Sequence, residues 1–353
     1  MNEKNNDIER RAAQYLGLTL YRVISQEKGL YRIAGEAGER EAVVAGKLQY
    51  QARQPSDYPA VGDYVMADPG QGRGMIQAVL ERKSVLMRKT AGSSHVAQMI
   101  AANVDTVFVC MSLNNDLNPR RLERYLTVCW EGGAAPVVVL TKSDLCEDLD
   151  AALQTISAVT QGADIIVTSA RAADGCQRLL PYLRPGVTVA FTGSSGVGKS
   201  TLMNRLLGEE RQATGGLRND DRGHHTTTRR ELFWLPNGAA IIDTPGLREM
   251  GLMDASEGLE TAFADVQTLI NQCRFRNCTH QHEPGCAVRA ALANGQLSQE
   301  RWQSWQKLTA ESLVYQGATE QRSAKEKSLS KLLGRTVTIP NDNTSKNSLG
   351  YYP

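Results

Sequence analysis

At 353 residues, 41% of them hydrophobic and 22% charged, the chain has the balance of a folded globular protein and the length for two or three domains. No run of about 18 apolar residues occurs, which excludes a membrane-spanning helix. A net charge of only +2 excludes recognition by bulk charge, although Arg211 to Arg230 holds five Arg against two Asp, and Arg301 onward holds eight Lys or Arg against four acids.

Residues 1–18 read as a polar start with a short helix, without the apolar core of a secretory signal, so a cytoplasmic location is expected. Five short strand-like runs follow between Thr19 and Ser84: TLYRVIS, GLYRIAG, REAVVAG, DYVMAD and GMIQAVL. Strands at this spacing predict a small antiparallel β-barrel, of which the OB-fold is one kind. From Val104 the texture changes. TVFVCM precedes the helix-like PRRLERYLTVCWEGG, and PVVVL and ADIIVT each run into a polar loop. VTVAFT enters a Gly-rich turn and then the helical TLMNRLLG, while ELFWL and AAIID are joined by Pro236-Asn237-Gly238. Apolar strands alternating with helices imply a mostly parallel sheet covered on both faces. Beyond Ala255 the pattern is helical, interrupted by a Cys/His cluster, and the tail from Thr336, rich in Asn, Ser, Thr and Pro, reads as disordered or loosely docked.

The segment Gly193-Ser194-Ser195-Gly196-Val197-Gly198-Lys199-Ser200-Thr201 fits the phosphate-loop pattern G-x-x-x-x-G-K-[ST], with a strand before it and a helix after it. Its glycines let backbone N–H groups wrap phosphates, and the helix N-terminus adds partial positive charge. Lys199 is expected on the β- and γ-phosphates, and the Ser200 hydroxyl on Mg²⁺. Asp243-Thr244-Pro245-Gly246 ends the strand AAIID, placing Asp243 to reach Mg²⁺ through water and the Gly246 N–H to sense the γ-phosphate.

Thr141-Lys142-Ser143-Asp144 follows PVVVL. A carboxylate accepts both N1–H and the exocyclic amine of guanine, a donor pair that adenine lacks, so Asp144 is expected to select GTP over ATP. The Lys142 stem packs along the base in this reading, and Ser169-Ala170 supplies a backbone N–H for guanine O6. The Gly-, Arg- and Asp-rich stretch from Gly215 to Arg230 suits a first switch, in which Thr227 (or Thr226) reaches Mg²⁺. The glutamine that orients water in many GTPases is replaced by Leu247, so another group must place the water; His224 and His225 lie beside the threonines.

Of seven cysteines, Cys110, Cys129, Cys146 and Cys176 are scattered and read mostly as buried thiols. Cys273, Cys278 and Cys286 cluster with His280 and His282. Three thiolates and one imidazole make a closed tetrahedral set suited to one structural Zn²⁺, with either histidine available as the fourth ligand.

These motifs resemble those of the translation-factor-like GTPases in a changed order, since the base motifs precede the phosphate loop. With IAANVD, GSSGVGKST, GHHTTT, DTPGLRE and the Cys/His cluster, the chain from about residue 20 to about 315 resembles the RsgA (YjeQ) family of circularly permuted, small-subunit-dependent GTPases. The resemblance implies an N-terminal OB-fold, a permuted α/β P-loop GTPase domain and a mostly helical zinc-binding subdomain. Boundaries are expected at 1–90, 91–254 and 255–335, with a disordered tail at 336–353. The resemblance also selects His280 as the fourth zinc ligand and His225 for water positioning. It implies GTP hydrolysis stimulated by the 30S subunit, binding to 16S rRNA and a role in late subunit maturation. A monomer is expected, without membrane association. The departure is Thr141, where GTPases commonly carry Asn; losing the amide implies a weaker guanine preference. Two alternatives are a P-loop ATPase, against which Asp144 and Ser169-Ala170 argue, and an RNA-binding scaffold with structural nucleotide, against which Lys199, Ser200 and Asp243 argue.

Overall fold

A computed structural model describes residues 3–70, 72–89, 97–114, 116–172, 174–208, 230–244, 252 and 255–333. Helix α1 (Glu3–Ala12) leads into β1 (Thr19–Glu27), β2 (Leu30–Gly35), β3 (Gly38–Val44), helix α2 (Gly46–Gln51), β4 (Tyr64–Ala67) and β5 (Gly74–Val79). Alternate residues of these strands enter one core: Tyr21 and Val23, Tyr31 and Ile33, Ala42 and Val44, Val65 and Ala67, with Ile76. The strands pair in the order β1-β2-β3-β5-β4, and β4 returns to β1, which closes the barrel in the OB arrangement. It is not wholly antiparallel. β3 and β5 run parallel, because α2 and β4 intervene between them in the chain.

Strands β6 (Val85–Lys89) and β7 (Ala97–Ala102) form a separate antiparallel pair. Neither run alternates, so the sequence carried no period-2 signal for this pair. Its Met99 and Ala102 pack with Ala60 of the barrel. At Gly62 the barrel backbone comes so close that a Cβ would lie 2.2 Å from the Ala102 carbonyl oxygen, and φ there is +93°. Only glycine fits that contact.

The next elements are β8 (Thr106–Ser112), α3 (Pro119–Glu131), β9 (Ala135–Thr141), α4 (Leu149–Ser157), β10 (Asp164–Val167), β11 (Thr188–Gly193), α5 (Lys199–Leu207), β12 (Glu231–Trp234) and β13 (Ala240–Asp243). Asn118 caps α3 by accepting from the Arg121 N–H, with Pro119 at the first helical position. The sheet order is β10-β9-β8-β11-β13-β12, parallel except for β12. Val107, Val109 and Met111 of β8 face the core shared with α3, whereas Phe108 and Cys110 face the one shared with α5. Both faces are covered, as near-continuous apolar strands require.

On its outer edge β12 pairs with β1, Ser25 opposite Glu231, so the barrel and the P-loop sheet form one eleven-stranded sheet. Arg32 bridges to Glu231 at 3.0 Å across the seam, and the buried Arg22 donates from Nη2 to Thr188 Oγ1 at 2.6 Å. Burial pushes the Arg22 guanidinium below its ordinary value.

Helices α6 (Ser256–Ala262), α7 (Ala264–Asn271), α8 (Ala287–Ala293) and α9 (Gln299–Leu333) complete the described chain. They join the sheet's core through Leu259, Phe263, Val266 and Trp302. A buried ion cluster crosses the same contact. Glu123 of α3 accepts from Arg301 of α9 at 2.9 Å, and Arg301 also meets Asp265 at 2.7 Å. No helix among the described residues is long and apolar enough to cross a membrane.

Candidate functional site

Strand register gathers the motifs. Val167 lies beside Leu140, Thr141 beside Ser112, Cys110 beside Gly193 and Phe191 beside Asp243. The loops holding Lys142 to Asp144, Thr168 to Ala170, Gly193 to Ser200 and Asp243 therefore leave one edge of the sheet. β8, β9 and β10 are laid outward in one direction, then β11 and β13 in the other, so the order reverses between β8 and β11. An open α/β sheet makes its ligand crevice at such a reversal.

The phosphate loop follows β11. Gly193 has φ +136°, and a Cβ there would meet the Cys110 carbonyl oxygen at 2.1 Å, so the loop can leave the strand only on glycine. Val197 is buried to 1% exposure and anchors the loop's middle in the core. Lys199 opens α5, and its Nζ donates to the carbonyls of Gly193 at 2.8 Å and Ser194 at 2.6 Å, which places the ammonium over the loop. Ser200 and Thr201 sit half-buried in the first turn of α5. Asp243 ends the neighbouring strand β13, and the next residue, Thr244, is buried and donates to the Phe191 carbonyl at 2.8 Å. A hydroxyl and a carboxylate from adjacent elements are hard oxygen donors of the kind Mg²⁺ takes.

Lys142 adopts φ +56° and turns the chain from β9 into a short 3-10 turn, Ser143–Leu145. The Ser143 N–H donates to the Thr168 carbonyl at 3.2 Å. The Ser169 hydroxyl donates to Asp144 Oδ1 at 2.5 Å, and Arg171 Nη1 stands 3.8 Å from Oδ2. The Ser169 hydrogen bond first, then Arg171 and Lys142, hold the Asp144 carboxyl below the usual carboxylate range, so it stays an acceptor.

Two connections were not legible in the motifs. Arg205 of α5 donates to the carbonyls of Ala170 and Ala172 at 2.5 and 2.6 Å, tying that loop to the phosphate-loop helix. Thr141 is 2% exposed and turns its hydroxyl to the Val197 carbonyl at 2.5 Å. No spacing rule marks Arg205, and the motif that includes Thr141 does not tell where its hydroxyl turns. His224, His225, Thr226, Thr227, Thr228, Gly246 and Leu247 lie outside the described residues.

Cys273, Cys278, His280 and Cys286 come together, with ligand atoms all within 4.8 Å of one another. Cys273 Sγ lies 3.9 Å from Cys286 Sγ, and His280 Nδ1 lies 3.6 and 3.5 Å from those two sulfurs. A tetrahedral ion bound at about 2.3 Å to sulfur and 2.0–2.1 Å to nitrogen needs separations of about 3.8 and 3.6 Å. The donor set fits one structural metal, and His282 is not in it. Burial raises the Cys273 thiol, but N–H groups of Val288 and Ala287, with the other two thiols, hold it below its ordinary value. Burial lowers His280, which favours the neutral, ligating imidazole. Glu283 shapes the loop: its carboxylate accepts from the N–H groups of Thr279, Gln281 and His282 at 2.8, 3.1 and 3.2 Å. Stripping the metal with chelator, or changing Cys286→Ser, is expected to take bound metal from one per chain to none. Proteolysis should then open residues 273–286 first, as read by metal analysis and mass spectrometry. Full protease resistance of that segment without metal would refute a structural role.

The cysteines outside the cluster divide. Cys110 and Cys129 are buried, whereas Cys146 and Cys176 are half-buried.

The family model described as RsgA GTPase matches residues 79–253. A small ribosomal subunit biogenesis GTPase RsgA 2 from Lactiplantibacillus plantarum is 49% identical over 313 residues, which are 88% of this chain and 87% of that protein. A small ribosomal subunit biogenesis GTPase RsgA from Methanosarcina acetivorans is 44% identical over 311 residues, 87% of this chain and 83% of that one. Among solved structures, YjeQ from Thermotoga maritima aligns with TM-score 0.61 and 27% identity, covering 84% of this chain and 99% of its own. YloQ, described as a circularly permuted GTPase, aligns with TM-score 0.57 over 83% of this chain and 94% of its own; at 24% identity this likeness is one of fold.

Proposed function

The chain belongs to the RsgA GTPase family and hydrolyses GTP, and from that premise we propose that it acts in biogenesis of the small ribosomal subunit. In this reading it binds the 30S subunit and 16S rRNA as a cytoplasmic monomer late in maturation, and the subunit stimulates hydrolysis. The meeting of the phosphate loop with the Asp144 and Ala170 loops on one sheet edge carries the nucleotide part of the reading, and the identity to relatives named as small ribosomal subunit biogenesis GTPases supports the partner. An ATPase is not favoured, because adenine lacks the donor pair that a charged Asp144 with its supporting Ser169 accepts, and a scaffold with structural nucleotide is not favoured, because Lys199, Ser200 and Asp243 keep the parts that hydrolysis needs.

Guanine docks on Asp144, with Lys142 along its face and the Ala170 N–H on O6. The phosphates lie on residues 193–201. Mg²⁺ is held by Ser200, by Asp243 through water, and by Thr227 (or Thr226); when bound it neutralises the β- and γ-phosphate oxygens. His225 orients the attacking water in place of the missing glutamine. Zn²⁺ fills the Cys273, Cys278, His280 and Cys286 set, since thiolate-rich tetrahedral sites select it. We divide the chain at 1–90, 91–254, 255–335 and 336–353.

The test is phosphate release from GTP and ATP with small subunits, large subunits or neither. A slow basal rate raised strongly only by GTP with small subunits is expected, and His225→Ala should lose the stimulated rate while retaining GTP binding. Equal stimulation by large subunits would reject the partner, and full stimulated activity in His225→Ala would reject that residue's role.

A further inference from the structure

We propose that Arg205 sets the selectivity of the site for the oxygen at position 6 of the base. From α5 it clamps the loop whose Ala170 N–H meets that oxygen, and so acts as a positioning residue for the contact. The inference rests on the nucleotide reading above, in which that N–H faces guanine O6, and it gives the contact a residue outside the recognition motifs. Both bonds leave one nitrogen. Arg205 Nη1 donates to the Ala170 carbonyl at 2.5 Å and to the Ala172 carbonyl at 2.6 Å, its two hydrogens fixed in the guanidinium plane.

The loop is wound so that two peptide planes meet at Ala170. In the first, the Ser169 carbonyl accepts from the Ala172 N–H at 3.2 Å. Gly175 passes so close that a Cβ there would lie 2.0 Å from the same oxygen, and the Thr168 hydroxyl ties the turn off at the Gly175 carbonyl. A trans peptide points its C=O and N–H in opposite directions, so with the Ser169 carbonyl turned into the loop the Ala170 N–H is aimed out of it. In the second plane the Arg171 N–H donates to the Ser169 hydroxyl at 3.2 Å, and the Ala170 carbonyl at the other end accepts from Arg205. Only the φ and ψ of Ala170 join these planes. Its N–H keeps one direction when both planes are held, and Arg205 holds the second from outside the loop.

The anchor is also the phosphate-binding helix. Arg205 stands six residues after Lys199 on α5, about 9 Å along the helix axis. Ala170 packs on the core that Leu202 and Met203 of the same helix enter. One rigid element therefore sets the distance between the O6 donor and the phosphate loop. Arg205 itself is exposed, so shortening it opens no cavity.

Two ligand pairs separate this task from that of Asp144. IDP lacks the exocyclic amine that Asp144 accepts, whereas 6-thio-GDP keeps N1–H and the amine but puts sulfur, a weak acceptor, in place of O6. The experiment is calorimetric titration of the full chain with GDP, IDP and 6-thio-GDP, in wild type, Arg205→Ala, Arg205→Lys and Asp144→Asn. Arg205→Ala is expected to bind GDP and IDP about fivefold more weakly, the net effect of one hydrogen bond, and 6-thio-GDP with little change. The GDP-to-6-thio-GDP ratio then falls while the GDP-to-IDP ratio holds. Arg205→Lys, whose ammonium still reaches the carbonyls, should restore most of the first ratio, and Asp144→Asn should collapse the second. An equal loss for all three ligands would make Arg205 a structural brace only and overturn the proposal, as would a GDP affinity within twofold of wild type. Wild type that binds GDP and 6-thio-GDP alike would overturn it as well, since Ala170 would then not read O6. Should the alanine variant not fold, Arg205→Gln, too short to reach both carbonyls, takes its place in the same titration. Wild type that binds none of the three would instead defeat the nucleotide reading itself.

Discussion

Lys199→Ala is expected to lower kcat/KM for GTP by about a thousandfold, with the melting temperature nearly unchanged. Two of the ammonium's donors hold the Gly193 and Ser194 carbonyls at 2.8 and 2.6 Å, so the charge is held over the loop before any phosphate arrives. A donor fixed in advance where charge gathers in the transition state is worth roughly 10²–10³ in rate, and this one also neutralises the phosphates that the loop must bind. The loop itself should survive the change, because Val197 anchors it in the core and Thr141 holds its carbonyl. Lys199→Arg should not rescue activity, since a planar fork cannot place one compact charge between two carbonyls of the same loop. Phosphate release at saturating small subunit, beside a thermal melt, measures both quantities. A rate within tenfold of wild type would remove Lys199 from the phosphate site.

The second large effect is on stability. Arg301→Ala should destabilise the chain by about 3 kcal/mol, because it strands a carboxylate that is wholly inaccessible. Glu123 is 0% exposed and Arg301 4%. Arg301 also donates to Asp265 and to the Ala262 carbonyl, and its guanidinium lies 4.1 Å from the Phe263 ring centroid. Glu123 keeps Arg120 at 3.0 Å and the Ser304 hydroxyl, which holds the loss to the lower end for a broken buried pair. The paired change Glu123→Gln with Arg301→Met should recover part of it, because neither residue then leaves an unmatched charge inside. Calorimetric melts of the two variants would test this. A single variant as stable as wild type would mean that the cluster does not hold α9 to α3.

The candidate site was legible in the sequence where its chemistry is carried by neighbours in the chain. The run from Gly193 to Thr201 must be a strand-to-helix turn whatever surrounds it, because its glycines take backbone angles that other residues avoid. Cys273, Cys278 and Cys286 lie near one another in the chain, and only the fourth ligand needed choosing. The five barrel runs and the apolar strands were readable for a similar reason, since alternation reports a one-sided surface and continuous apolarity a two-sided one. The β6–β7 pair was not readable: neither Val85–Lys89 nor Ala97–Ala102 alternates, so no period marks either run as a strand.

The amino-acid sequence by itself determined the kinds of element, the motif residues and their permuted order, because propensity, turn chemistry and ligand type act over a few consecutive residues. Only the tertiary structure decided what those residues touch. It turned Thr141 toward Val197, set Arg205 on the Ala170 loop, buried Arg301 against Glu123 and made Ser25 opposite Glu231 the join of barrel and P-loop sheet. Each of these contacts spans about 35 residues or more, and a side chain's direction across such a distance follows from how the sheets and helices pack, which no local pattern encodes.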